Sequence, residues 1–157
     1  VPEPLIQKNF SRIMSLKDGI KKMSKSDPSD LSRINLTDTK DQIVNKIKKA
    51  KTDPLSMPKL IKELEERLEA KNLLGIYASL TNTSLEKSVE KFEGKNFSDF
   101  KENLSQVLVD KIQPISLEIK KLLADRSYLD KILLEGVEKA NLIASNKIKR
   151  IKEIVGF

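Results

Sequence analysis

Residues 21–28 read Lys21-Lys22-Met23-Ser24-Lys25-Ser26-Asp27-Pro28, and the chain changes character across them. Before them, Arg12-Ile13-Met14-Ser15-Leu16 has the composition of a short buried strand, ended by the turn signal Lys17-Asp18-Gly19. After them, from Thr37 onward, apolar residues recur at helical spacing. A lone short strand leaves its backbone N–H and C=O groups without partners. The opening segment therefore reads as the end of a larger α/β domain. With its neighbours elsewhere, the strand at 12–16 would be free to pair with another copy of the chain.

The helical part divides at its turn residues. Thr37 is placed to cap a first helix, with Asp38 in its positive first turn. Ile43, Ile47 and Ala50 form its apolar stripe, and Thr52-Asp53-Pro54 ends it. Pro58 suits the opening of the next helical stretch, 59–81, which reads equally well as one helix or two. Leu60, Leu64 and Leu68 share one face there, and Leu73, Ile76, Tyr77 and Leu80 continue the apolar stripe. Thr83 and Glu86 have capping-box spacing ahead of Leu85, Val89 and Phe92, with Gly94 as the stop. A long segment follows, capped by Ser98, with Phe100, Leu104, Leu108, Ile112, Ile115 and Ile119 inward. Pro114 predicts a kink or break in it near Gln113. Ser127 and Asp130 would cap the last helix, whose inward face includes Ile132, Leu133, Val137, Ile143, Ile148, Ile151 and Val155. The expected fold is mainly α, a C-terminal helical bundle of five or six helices behind a remnant of α/β structure.

Composition removes several functions. The 157 residues include no cysteine and no histidine, which excludes disulfides, thiolate metal sites, His-metal sites and His-based acid–base catalysis within this chain. No apolar run is long enough to span a bilayer, and the start has no signal-peptide character. The default location is therefore cytoplasmic. The net charge is +7, and residues 1–51 carry twice as many Lys and Arg as Asp and Glu. A second basic concentration lies in the last helix, at Lys147, Lys149, Arg150 and Lys152. Two basic regions suit a polyanion such as a nucleotide or RNA; the alternative is a solvated Lys-rich surface.

The loop itself has a chemistry. Three lysines and two serines within six residues can place ammonium and hydroxyl groups around a triphosphate. When pyrophosphate leaves during nucleotidyl transfer, negative charge builds on it, and mobile lysines that engage late lower the barrier more than they tighten ground-state binding. A generic Lys-Ser-Lys loop would be a solvated basic turn. The string Lys22-Met23-Ser24-Lys25-Ser26, however, resembles the signature loop of class I aminoacyl-tRNA synthetases. The extended run Lys21 to Ser29 is similar to its tryptophanyl version. So are Arg33-Ile34-Asn35-Leu36-Thr37-Asp38, K-I-x-K-A-x-T-D over Lys46–Asp53, N-L-L-x-I-Y over Asn72–Tyr77, and the terminal Ile154–Phe157. These pieces fall in family order across the whole chain. Leu68 stands where the family often has proline at a helix start.

The resemblance implies the following. Residues 1–36 are the end of a truncated Rossmann-like catalytic domain with its phosphate loop, and 37–157 a helical region that receives the tRNA anticodon. The parent enzyme activates L-tryptophan with ATP and Mg²⁺ and transfers it to tRNA(Trp), acting as a homodimer. Lys22 and Lys25 are the catalytic loop lysines on the ATP phosphates. Ser24 and Ser26 are the loop hydroxyls, and Met23 and the backbone of Ile13 lie beside the adenosine. No tightly bound metal is implied. The family's first ATP motif carries histidine, which this chain lacks, so these residues alone are expected not to activate tryptophan. Candidate tRNA contacts are Tyr128, Lys147 and Arg150; Tyr77 could stack on a base but shares the apolar stripe of its helix. Asp27 could approach Mg²⁺, or simply cap the following turn. A stand-alone helical RNA-binding module without catalysis is the competing reading, and a structural bundle with an idle loop is a third.

Overall fold

Residues 14–22 form a hairpin rather than an isolated strand. In a computed structural model describing residues 3–4 and 10–156, β1 (Met14–Ser15) pairs antiparallel with β2 (Asp18–Lys22), Met14 opposite Lys22 and Ser15 opposite Asp18. The turn falls at Leu16-Lys17, and Asp18 and Gly19, expected in the turn, already belong to β2. The expected strand at 12–16 shrinks to Met14–Ser15 and is not an orphan. Leu16 N–H donates to Ser32 C=O (2.9 Å), and Lys51 N–H donates to Leu16 C=O (2.7 Å). The Asn72 amide closes the other side, its Oδ1 accepting from Met14 N–H and its Nδ2 donating to Met14 C=O, both at 2.9 Å. The premise of the expected pairing with a second copy, a strand without neighbours, therefore does not hold.

After a single 3-10 turn at Asp30–Ser32 come α1 (Lys40–Lys48), a 3-10 segment (Ile61–Glu65), α2 (Leu68–Thr81), α3 (Leu85–Phe92), α4 (Phe97–Ala124) and α5 (Arg126–Val155). The fold is mainly α. The stretch 59–81 holds two elements, and Leu60 is exposed while Leu64 is buried. Helix α2 starts at Leu68, the first helical position, where a proline would also be tolerated.

Caps fall near the expected residues but not on them. Thr39, not Thr37, caps α1: its hydroxyl accepts from Gln42 N–H and the Gln42 side chain accepts from Thr39 N–H. Ser84 rather than Thr83 caps α3. The Asn96 side chain, not that of Ser98, accepts from Asp99 N–H at the start of α4. Asp125 rather than Ser127 caps α5, accepting from Tyr128 N–H at 3.0 Å. Gly94 turns the chain between α3 and α4 at φ +67°, as its sequence position suggested. Of the kink or break expected near Gln113, the break does not occur: α4 runs through Pro114 as one helix.

Packing divides the chain into two compact units, residues 1–116 and 117–157. The expected boundary at residue 36 is one of descent, which packing does not test. In the first unit, Leu16 of the hairpin turn joins Ile43, Ile47, Met57, Leu73, Leu74, Val89, Phe92, Phe100 and Leu104 in one core. Tyr77, Phe92 and Phe100 meet at its centre, with ring centroids 5.0 Å apart at 89° and 4.8 Å apart at 77° for the two closest pairs. Edge-to-face pairs of this kind add about 0.5–1.5 kcal/mol each beyond the area they bury. The second unit contains the end of α4 and all of α5. No residue of α5 is buried, so the expected inward face of Ile132, Leu133, Val137, Ile143, Ile148, Ile151 and Val155 is a surface stripe among the described residues. An apolar period specifies an amphipathic helix; it does not supply what covers it.

Candidate functional site

The hairpin exists to deliver a loop. Lys22 is the last residue of β2 and lies exposed. The next residue closes the ladder, Met23 N–H donating to Ile13 C=O at 3.0 Å. The two positions read as adenosine neighbours, Ile13 and Met23, are therefore directly bonded through their backbones. Beyond them the chain turns on its serines. Ser24 Oγ and Ser26 Oγ lie 3.0 Å apart, and Ser26 N–H donates to Ser24 Oγ at 3.4 Å. Lys25 projects from the apex of this turn into solvent. Lys22 and Lys25 have no carboxylate partner among the described residues, whereas Lys21 lies 3.8 Å from Asp18.

Asp27 does the more ordinary of its two expected jobs: its Oδ1 accepts from Ser29 N–H at 2.7 Å. Among the described residues no group of three acidic side chains could hold a metal ion.

Under the loop lies a charged floor that motif reading missed. Arg33 Nη1 donates to Asp27 C=O (2.9 Å) and Ser29 C=O (3.4 Å), Nε donates to Asn35 Oδ1 (3.2 Å), and Nη2 pairs with Asp30 (3.1 Å). Asp30 also meets Lys46 Nζ at 2.7 Å, and the same ammonium meets Asp38 at 2.7 Å. Asn35 completes the set, its Nδ2 donating to Asp30 and Asp38. The hydrogen bond from Lys46, then that from Asn35, hold the Asp30 carboxyl below the usual carboxylate range. The side chains of Lys46 and Asp38 are 3% and 5% exposed. Lys46 was visible in the sequence as a lysine on the apolar stripe of Ile43, Ile47 and Ala50, a position that demands a buried counter-charge.

The tRNA candidates lie in the second unit. Tyr128 is half exposed at the first turn of α5, and Lys147 and Arg150 are exposed on that helix, one turn apart. Tyr77, by contrast, is 4% exposed, and its hydroxyl accepts from Lys91 Nζ, so it offers no face to a base.

The family model described as tRNA synthetases class I (W and Y) matches residues 1–112, and the chain belongs to that family. It is 49% identical over its full length to a tryptophan–tRNA ligase of Mesorhizobium japonicum, covering 44% of that protein. It is 51% identical over its full length to the tryptophan–tRNA ligase of Rickettsia felis, covering 47% of it. A crystal structure of tryptophanyl-tRNA synthetase from Mycoplasma pneumoniae superposes with a TM-score of 0.68 at 25% identity, over 96% of this chain and 45% of that one. The chain thus spans a little under half the length of the curated relatives it matches.

Proposed function

We propose that this chain supplies the phosphate-binding loop and the helical anticodon region of a tryptophan–tRNA ligase. In that reaction the carboxylate of L-tryptophan attacks the α-phosphorus of ATP. A carboxylate–phosphorus bond forms, the bond to the bridging oxygen breaks, and pyrophosphate leaves with the displaced electron pair. A ribose hydroxyl of tRNA(Trp) then attacks the tryptophanyl carbonyl, the ester bond forms, the bond to the phosphate oxygen breaks, and AMP leaves. The observation that carries the reading is the pair of exposed, unneutralised ammonium groups of Lys22 and Lys25, on a loop registered to the hairpin by the Met23–Ile13 bond. Their part is to meet charge as it develops on the departing pyrophosphate, with Ser24 and Ser26 turning their hydroxyls from each other to phosphate oxygens. Met23 and Ile13 border the adenosine. Mg²⁺ would arrive on the nucleotide's own phosphates. Tyr128, Lys147 and Arg150 are the candidate tRNA contacts. The parent enzyme is read as a cytoplasmic homodimer; no helix among the described residues is long and apolar enough to cross a membrane.

The test is tryptophan-dependent ATP–pyrophosphate exchange by the intact ligase. Lys25→Ala is expected to lower the exchange rate by about 10²-fold, the scale of losing one donor to a transition-state charge. The KM for tryptophan should hardly change. Unchanged exchange would remove the role given to that lysine. The 157 residues by themselves are expected to exchange no pyrophosphate.

A further inference from the structure

The loop lysines can act late only if the loop returns to one place, and its anchorage is unusual. Between Ser26 and Asn35, Ser32 C=O accepts from Leu16 N–H, and one guanidinium gathers the groups on either side of it. Arg33 reaches the carbonyls of Asp27 and Ser29, the Asn35 amide and the Asp30 carboxylate at once. That fork is backed by the buried ammonium of Lys46, which joins Asp30 to Asp38 just ahead of α1. A continuous path therefore runs from the loop's exit to the helical core, through Arg33, Asp30, Lys46 and Asp38. Four of its polar contacts are 3.1 Å or shorter.

We infer that Arg33, braced by Asp30 and Lys46, is a positioning residue that sets where the lysine loop closes during ATP activation. The inference rests on the phosphate-loop reading of Lys22–Ser26. The guanidinium touches no reacting atom; it fixes the backbone two residues beyond Lys25. Lysine in its place keeps the charge beside Asp30 but has no planar fork with which to hold two carbonyls and an amide oxygen together. A displacement of about 1 Å in a catalytic group costs up to about 10²-fold in rate.

The experiment is a double-mutant cycle in the intact ligase, read by tryptophan-dependent ATP–pyrophosphate exchange and thermal melting. Arg33→Lys is expected to lower kcat/KM for ATP about tenfold in the unaltered enzyme. It should leave the KM for tryptophan and the melting temperature near their starting values. In the Lys25→Ala background the same change should cost less than about threefold, because the lysine being positioned is gone. An equal loss in both backgrounds, or no loss in either, overturns the inference. A Lys25→Ala enzyme with full activity instead defeats the phosphate-loop reading itself, so the two failures are separable. If Arg33→Lys does not fold, Asp30→Asn replaces it in the cycle, with the same expected pattern and the same overturning results. Its carboxylate is half exposed, and the amide keeps its size.

Discussion

Lys46 is charged, 3% exposed, and held at 2.7 Å by both Asp30 and Asp38. Desolvating an ammonium and a carboxylate costs several kcal/mol each, so the pair contributes little net stability over an apolar replacement of equal volume. Breaking it is different, because Asp38 would stay buried without its partner. Lys46→Met is expected to destabilise the protein by about 3–5 kcal/mol in urea unfolding. Lys46→Met combined with Asp38→Leu should recover part of that loss. Gly19 is the other position where one residue decides local structure. A Cβ there would lie 2.9 Å from the backbone of Leu68 and Glu69, so β2 sits directly against the start of α2. Gly19→Ala should cost about 1–3 kcal/mol, the range for overpacking a site that cannot yield. The loop string Lys22–Ser26 was legible at this scale because its chemistry is local. The Arg33–Asp30–Lys46–Asp38 floor was not, because an aspartate eight residues before a lysine has no helical or strand spacing to announce it.

At the scale of elements, hydrophobic period found every α-helix, and in α1, α3, α4 and α5 a capping side chain set where the helix began. Thr37 and Thr39 are equally good caps by type. What selects Thr39 is that Asp38 is withdrawn to meet Lys46, leaving the next residue to start α1. Thr39→Ala is accordingly expected to cost about 1 kcal/mol. Thr37→Ala, at an exposed site, should stay within about 0.5 kcal/mol of the parent by the same unfolding measurement. Pro114 makes the converse case. It is exposed, it lacks the N–H that an interior helical residue donates, and α4 continues through it. Ile112 and Ser116 are buried on either side, and the helix persists against a local cost of up to about 3 kcal/mol. The strand was the element least legible in advance. The five residues 12–16 hold only a two-residue strand, Met14–Ser15, and its partner is the stretch Asp18–Lys22, which sequence reads as turn and loop.

For the whole molecule, acid is the sensitive direction. Asp30 is held below its usual range chiefly by the hydrogen bond from Lys46, and Glu69 chiefly by that from Lys51. Burial pushes the Asp53 carboxyl up, but pairing with Arg67 and backbone hydrogen bonding more than offset it. Each group binds fewer protons folded than unfolded. Its stabilisation is therefore complete above the ordinary carboxylate values of 3.8 and 4.5, and is lost as pH falls through them. The urea midpoint should stay level from about pH 7 to about pH 5 and decline below that. A flat profile down to pH 3 would contradict the ion-pair assignments. The mainly α fold and its family could be read from the sequence, since both rest on period and on strings kept in order. What covers the apolar stripe of α5 could not, because one helix's pattern is silent about its neighbour.

Asn72 gives the hairpin a property that strand pairing alone would not. One amide on α2 reads both backbone groups of Met14, as a complementary strand would. The geometry is satisfied at one rotation of the helix about its axis and at one register of the chain. Turning α2 by a single residue would face Leu73 or Lys71 toward the strand, and neither can both donate and accept. The angular setting of a core helix and the longitudinal setting of the lysine loop are thus one variable, locked like a key in its ward.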